Sequence, residues 1–452
     1  MQWQFPALPD SHPASPLHDG AILDTHMKYF VRISAATCCL FSSTALVAQL
    51  PAPVNLFVAD VTYDNGSIRI GNPRKLTGDR GVSSQPSFTP DGKAILFVSR
   101  RDTTGQSDIY RIDLATGAET QITKTSENEN SPTVTPDGNI MVIRWTPATL
   151  FKEWGPWIYD NTGKPLSGVL PGPDTVGYYV RVDSVTFAMM RPKSRPAIAL
   201  FDTRKGTMTD FAWPVANLPP QIVPGRRAIS FTQIDSLGHN QIKIFDLASL
   251  QTSTLVPTLV GRTVHAWTPN GFVLMGKGGA IYAVRPGKDA NWRKVADMRR
   301  PELQGLTVYA VSPGGDKVIL ISPLKPLLQQ ALRDSIQSGA DVAKVIHRFR
   351  AAKSGVAGKY DTAESGLLSL AAERSARGKA SDAIEIIRFA AELHPKSYSS
   401  QLALGQALTK SGDQKAALVA FKKSLALNPR VSVDDKNAAE AAEKAITALN
   451  LH

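Results

Sequence analysis

The 452-residue chain carries a net charge of +12 and two cysteines, and a chain this long can bury a core that dispenses with the disulfide staples of small secreted domains. Its basic residues come as separated pairs (Arg100-Arg101, Arg226-Arg227, Arg299-Arg300, Lys422-Lys423) and not as runs or an aromatic-interleaved stripe, so nucleic acid is not expected as a partner. The excess reads as a generally basic solvated surface, with affinity for anionic polymers or a membrane surface as a lesser expectation.

Residues 1–26 hold four prolines and three histidines without amphipathic period and read as an extension upstream of the true start. From Met27 the pattern changes. Met27-Lys28-Tyr29-Phe30-Val31-Arg32 is a short basic region, Ile33 to Val47 an apolar stretch with small residues, and 27–49 together read as a signal peptide. The apolar run is too short for a stable transmembrane helix. Cleavage is expected between Ala45 and Leu50, and both cysteines, Cys38 and Cys39, leave with the leader. Losing Lys28 and Arg32 together with Asp10, Asp19 and Asp24 raises the net charge to +13.

The segment from 53 to 322 is repetitive. Ser87-Phe-Thr-Pro-Asp-Gly-Lys-Ala-Ile-Leu-Phe97 recurs 46 residues later as Thr133-Val-Thr-Pro-Asp-Gly-Asn-Ile-Met-Val-Ile143, the period of a repeat architecture. Proline presets one turn angle and Asp-Gly tolerates the left-handed region, so Pro90-Asp91-Gly92 and Pro136-Asp137-Gly138 are hairpin turns. Weaker turns fall at Val180 to Met189, Val223 to Arg226, Thr268 to Gly271 and Ser312 to Asp316. A second element, a strand ending on an acidic residue, recurs at Leu56–Asp60, Ile109–Asp113, Trp157–Asp160, Ile198–Asp202, Ile242–Asp246 and, degenerately, Ile281–Arg285. Four strands per unit and six units predict a six-bladed β-propeller. The chain enters with only an outer strand pair and leaves with only an inner one. One blade is therefore expected to be shared by the two ends, pairing Lys317–Ser322 with Leu56–Asp60 and removing exposed sheet edges.

After Pro323 the apolar period becomes helical. Residues 324–362 read as linker helices, with Leu327, Leu328, Ala331, Leu332 and Ile336 on one face. Between 363 and 452 a second repeat appears, with Pro395 and Pro429 separated by 34 residues, the tetratricopeptide period. That alignment pairs Leu370 with Leu404, Ala371 with Gly405, Ala383 with Ala417 and Ile387 with Phe421, and the last helix is expected to act as a cap.

The pattern Gln85-Pro-Ser-Phe-Thr-Pro-Asp-Gly-Lys-Ala-Ile-Leu-Phe-Val-Ser-Arg-Arg-Asp102, followed by Asp108-Ile-Tyr-Arg-Ile-Asp-Leu114 and Gln121-Ile-Thr123, resembles the TolB-type WD-like propeller repeat. The resemblance implies a six-bladed propeller, export to the periplasm or beyond, and work by binding other proteins. Propeller ligands usually meet the ring around its central channel, which makes Ser84, Gln85, Asn130 and Ser131 the expected contacts. The helical repeats resemble tetratricopeptide arrays, in which the first helix of each pair lines a peptide-binding groove. By alignment the groove positions are Ser365, Leu368, Ala372, Ser375 and Ala376, then Ser399, Leu402, Gln406, Thr409 and Lys410, with Leu370 and Leu404 in the core.

The same propeller type also gates prolyl-oligopeptidase-like peptidases, which keeps a hydrolase or lyase with a site in the channel as the alternative. The sequence has no Gly-x-Ser-x-Gly elbow and no alternating strand–helix stretch to carry one. Ser322-Pro-Leu-Lys325, Ser126-Glu-Asn128 and Lys353-Ser-Gly355 mimic penicillin-binding motifs in the wrong order. The five histidines after the leader lack metal-ligand spacing, so no metal and no cofactor are expected. Trp154, Trp157, Tyr178 and Tyr179 are either filling between blades or an aromatic ligand patch. The expected product is a non-enzymatic envelope protein that binds a protein or peptide. Its exported form should begin between Leu46 and Leu50 and lack thiols; intact mass decides this, and a form retaining Cys38 would refute it.

Overall fold

The structure, a computed structural model, describes residues 54–450 apart from 102–105, 147–154, 167–174, 194, 235–238, 299, 338–339, 352–354 and 431–432. The expected extension and leader lie outside the described residues.

Strand β1 (Val54–Asp64) turns back at Asn65-Gly66 into β2 (Ser67–Lys75). Both turn residues have positive φ, 46° and 76°, the geometry that makes Asn-Gly a two-residue hairpin loop. On its other edge β1 pairs antiparallel with β23 (Lys317–Pro323), from Val54 opposite Pro323 to Asp60 opposite Lys317. Strand β22 (Thr307–Val311) completes the order β22-β23-β1-β2, so this unit is built from both ends of the β region, as the repeat register predicts. A single parallel pairing, Val54 with Val82, joins it to the meander β3 (Val82–Phe88), β4 (Ala94–Arg100), β5 (Asp108–Asp113) and β6 (Glu119–Gln121).

Four separate sheets follow, each an antiparallel meander. The first is β7 (Asn128–Val134), β8 (Ile140–Trp145) and β9 (Gly155–Tyr159), extended by a bridge from Tyr159 to Pro165. The next is β10 (Tyr178–Arg181), β11 (Thr186–Arg191), β12 (Ala197–Asp202) and β13 (Thr207–Ala212). Then come β14 (Gln221–Ile222), β15 (Ala228–Ile234), β16 (Asn240–Asp246) and β17 (Gln251–Pro257). The last is β18 (Ala266–Trp267), β19 (Val273–Lys277), β20 (Ala280–Val284) and β21 (Arg293–Asp297). This is a β-propeller, and a helical region follows it.

Two local devices explain the repeat. The Thr-Pro-Asp-Gly turns join β3 to β4 and β7 to β8, with Gly92 and Gly138 in the left-handed region. The aspartate that ends the third strand is a turn cap: Asp113, Asp160, Asp202 and Asp246 each accept backbone N–H bonds from the following turn through Oδ1. Core residues lie between sheets. Leu96 and Ile109 pack on Val142 and Tyr159, Met141 and Ile143 on Phe187 and Met189, Met190 on Ile229 and Phe231, and Ile242 on Val273 and Met275. Leu274 and Ile281 then pack on Phe57 and Leu320, and Leu56 on Phe97, which returns the series to its start.

The helical region comprises α1 (Leu328–Gln337), α2 (Val342–Arg350), α3 (Val356–Lys359), α4 (Glu364–Ala376), α5 (Ala380–Leu393), α6 (Tyr398–Ser411), α7 (Gln414–Leu427) and α8 (Val433–Asn450). Helix α6 stops at Gly412, whose φ of 85° suits a left-handed cap. Gly405 lets α6 approach α7, because a Cβ there would stand 2.6 Å from the Phe421 ring. Helix α1 meets the propeller through Arg262, which contacts Asp334 at 2.8 Å, and through the Gln330 amide, which donates to the Gly261 carbonyl.

Phe57 is fully buried in the strand that closes the ring. Phe57→Ala should cost about 3–5 kcal/mol in urea unfolding followed by tryptophan fluorescence. Val419→Ala, at an exposed position on α7, should stay within about 0.5 kcal/mol. Equal effects of the two would contradict the closure.

Candidate functional site

The first strands β3 and β7 carry the same device. Their ladders break between Ser84 and Ser87 and between Asn130 and Thr133, and Gln85 and Ser131 occupy the left-handed region at φ 49° and 52°. A proline follows each and cannot donate to the ladder, so a bulge forms there. Non-glycine residues in this region cost on the order of 1 kcal/mol each. Contacts between sheets offset that cost. Gln85 Oε1 accepts from Ser131 N at 2.7 Å, with Ser131 Oγ at 2.9 Å, and Ser131 Oγ also lies 3.2 Å from the Gly177 carbonyl. Ser87 Oγ donates to the Pro132 carbonyl, and Thr133 Oγ1 meets Tyr179 OH, so successive sheets are linked at the same register.

The bulges open a cavity of about 330 Å³ lined by Gln85, Arg100, Asn130, Ile143, Trp145, Gly177, Tyr178 and Asn217. Asn130 is only 7% exposed, and its side-chain amide has no partner among the described residues. Arg100, half-buried at the end of β4, also has no carboxylate partner among them. Burial pushes the Tyr178 phenol up, with Arg100 pulling it weakly the other way. Burial also raises the phenol of Tyr309, at the register shift of β22, and Tyr178 is near enough to add to that rise. Both phenols therefore remain hydroxyl groups at neutral pH.

Of the expected channel contacts, Gln85 and Asn130 line the cavity, Ser131 holds Gln85 in place, and Ser84 sits in the ladder opposite Val98. The expectation did not include Arg100, Trp145 or Asn217 as contacts, and it held Tyr178 only as part of an aromatic patch or as filling between blades. Arg100 and Trp145 end the second strands of successive sheets, opposite Val82 and Asn128, which are themselves 46 residues apart. Aligning strand ends rather than turns would have found them. Among the aromatic candidates, Tyr179 is buried with its hydroxyl donating to the Met141 carbonyl, Trp157 lies under Arg144, and Tyr178 alone lines the cavity; Trp154 lies outside the described residues.

In the helical region Ser365, Ala372, Ala376, Gln406, Thr409 and Lys410 are exposed, while Leu368, Ser375, Ser399 and Leu402 are half-buried. Leu368 packs on the α1–α5 core, Leu402 on the core shared by α6, α7 and α8, and half-buried Leu404 touches both. A cleft of about 660 Å³ between propeller and helices surrounds Arg262 and Asp334, but those two charges are committed to each other.

A serine–histidine pair lies elsewhere among the described residues. Ser230 Oγ lies 2.9 Å from His265 Nε2, and Trp267 Nε1 donates to the same oxygen. Both residues are fully buried, and Thr232 Oγ1, not a carboxylate, faces Nδ1. It is a structural pair. Among the described residues no three His, Cys, Asp or Glu side chains are grouped to hold a metal ion.

No family model matches the chain. The Tol-Pal system protein TolB of Francisella tularensis subsp. holarctica (strain OSU18) is 26% identical over 206 residues, covering 42% of this chain and 46% of the relative. Over that stretch the chain is similar to TolB. It spans less than half the length of that relative. Among solved structures, the putative TolB of Agrobacterium tumefaciens has a TM-score of 0.44 at 14% identity, over 60% of this chain and 98% of that one. TolB of Acinetobacter baumannii has a TM-score of 0.39 at 17% identity, over 59% and 63%.

Burial holds the His265 imidazole down at about 4 from its ordinary 6.5. The folded state therefore resists protonation, and this stability is complete above pH 6.5 and lost as the pH falls to 4, about 3 kcal/mol in all. Urea unfolding at pH 7 and pH 4 should show His265→Gln losing about that much less than wild type. Equal losses would contradict a neutral buried His265.

Proposed function

We propose that this chain is an exported, non-enzymatic protein-binding protein of the bacterial cell envelope, with a six-bladed propeller and a tetratricopeptide module as its two recognition surfaces. The observation that carries the binding role is the cavity at the bulges, where a guanidinium, an amide and two aromatic rings meet and neither polar group has a partner among the described residues. Such convergent polar groups in an aromatic pocket are recognition chemistry.

The six-blade reading is supported by counting the meanders β22-β23-β1-β2 and β3–β6 separately, although Val54–Val82 joins them, and by giving 164–166 the outer place beside β9. The 34-residue repeat is supported by Gly378 and Gly412, both left-handed, and by buried Ala371, Gly405, Ala383, Ala417, Ile387 and Phe421 at equivalent positions. The exposed groove positions Ala372, Gln406, Thr409 and Lys410 then form the second surface. Similarity to the Tol-Pal system protein supports the envelope location and the protein partner.

In a lyase or hydrolase reading, Tyr178 would be the base among the cavity residues. Its phenol is shifted away from that role.

The test is a photo-crosslinking side chain at Asn217, exposed on the cavity wall, in the mature protein added to envelope extract. One discrete protein adduct is expected there and none with the same group at Val419. No adduct at Asn217, or substrate turnover that Tyr178→Phe abolishes, would overturn the binding role.

A further inference from the structure

We infer that the channel cavity is a carboxylate site, taking the terminal or side-chain carboxylate of an extended peptide segment between Arg100, Gln85 and Asn130. The inference rests on the reading of this cavity as the binding surface and adds the chemical class of its ligand. Four groups set that class. Gln85 Oε1 is taken by Ser131, leaving its Nε2 protons unpartnered among the described residues. Among the described residues the amide of Asn130, a residue 7% exposed, has no partner and Arg100 has no carboxylate partner, while Tyr178 keeps its hydroxyl proton. Donors outnumber acceptors, and none of the eight lining residues is acidic.

A half-buried guanidinium without an anion is a costly arrangement, and its planar fork matches a carboxylate with two parallel bonds. One cation suits one negative charge; a phosphate dianion would leave a charge uncompensated in a partly desolvated space. The remaining lining, Ile143, Trp145 and Tyr178, is apolar and aromatic, and suits the backbone and short side chains that carry the acid. A space of about 330 Å³ corresponds to roughly eleven waters, the size of a dipeptide.

Saturation-transfer NMR on the mature chain distinguishes the sources with three probes: acetyl-Ala-Ala as the free acid, acetyl-Ala-Glu-Ala amide, and the neutral acetyl-Ala-Ala amide. At least one acid should bind, and whichever does identifies a terminal or a side-chain carboxylate; the neutral amide should not. Arg100→Gln should weaken the acid roughly tenfold to a hundredfold, the range of a charge-assisted hydrogen bond. Asn130→Asp serves as the second variant, since it keeps the side-chain size and places a fixed carboxylate opposite Arg100. It should abolish acid binding while the melting temperature stays within a few degrees. Binding of the neutral amide equal to the acids, binding of neither acid, equal competition by inorganic phosphate, or undiminished acid binding in folded Arg100→Gln would each overturn the inference. Acid binding without a protein adduct at Asn217 would instead keep the carboxylate site and remove the protein partner.

Discussion

The antiparallel pairing of residues 54–60 with 317–323 is the contact on which the rest of the molecule depends. A propeller is a sheet series in which every unit uses both neighbours for its core, so no unit is stable by itself and the first needs the last. Here the unit at the seam has no continuous sequence. Its four strands come from opposite ends of the β region, and Phe57, Leu274, Ile281 and Leu320 share one apolar cluster only when those ends meet. Closure fixes the sheet radius, the radius fixes how the first strands converge, and that convergence places Gln85, Asn130 and Gly177 around one cavity.

The cavity is a by-product of the way sheets are tied at their inner edge. Bulges at Gln85 and Ser131 remove residues from the ladder, and the released side chains either bridge to the next sheet or line the cavity. Position decides which. Ser131 lies close enough to both neighbours to bridge, whereas Asn130, one residue earlier, lines the cavity with no side-chain partner among the described residues. The same backbone feature thus supplies stability and an unsatisfied polar surface.

What the sequence made legible follows from locality. A turn such as Thr-Pro-Asp-Gly and an aspartate capping the next turn are determined by neighbouring residues, so the strands, their period and the seam could be read directly. Gln85 and Asn130 were legible because they sit at fixed offsets from those turns. Arg100 and Trp145 were not, because one fewer residue separates them than separates the turns, and a 46-residue alignment misses their equivalence. Asn217 comes from a loop with no periodic signal. His265 appears in the sequence only as a histidine without ligand spacing; its enclosure by Ser230 and Thr232 depends on a single strand, β15, whose residues lie 35 and 33 positions away. Leu402 and Leu404 illustrate the same limit on helices. Helical phase separates them, yet both are half-buried, because α8 extends the core that Leu402 joins.

The register at the seam has a mechanical meaning. Val54 is opposite Pro323, so the chain entering the propeller and the chain leaving for the helices emerge side by side at the same end of two antiparallel strands. Tension between the segment before Val54 and the helical region would load these hydrogen bonds one after another, as in opening a zipper, and not all together as in shear. The ring that is held together by a shared core is thus soft along one direction. A partner that pulled on the helices while the other end was held would open the propeller at its seam first.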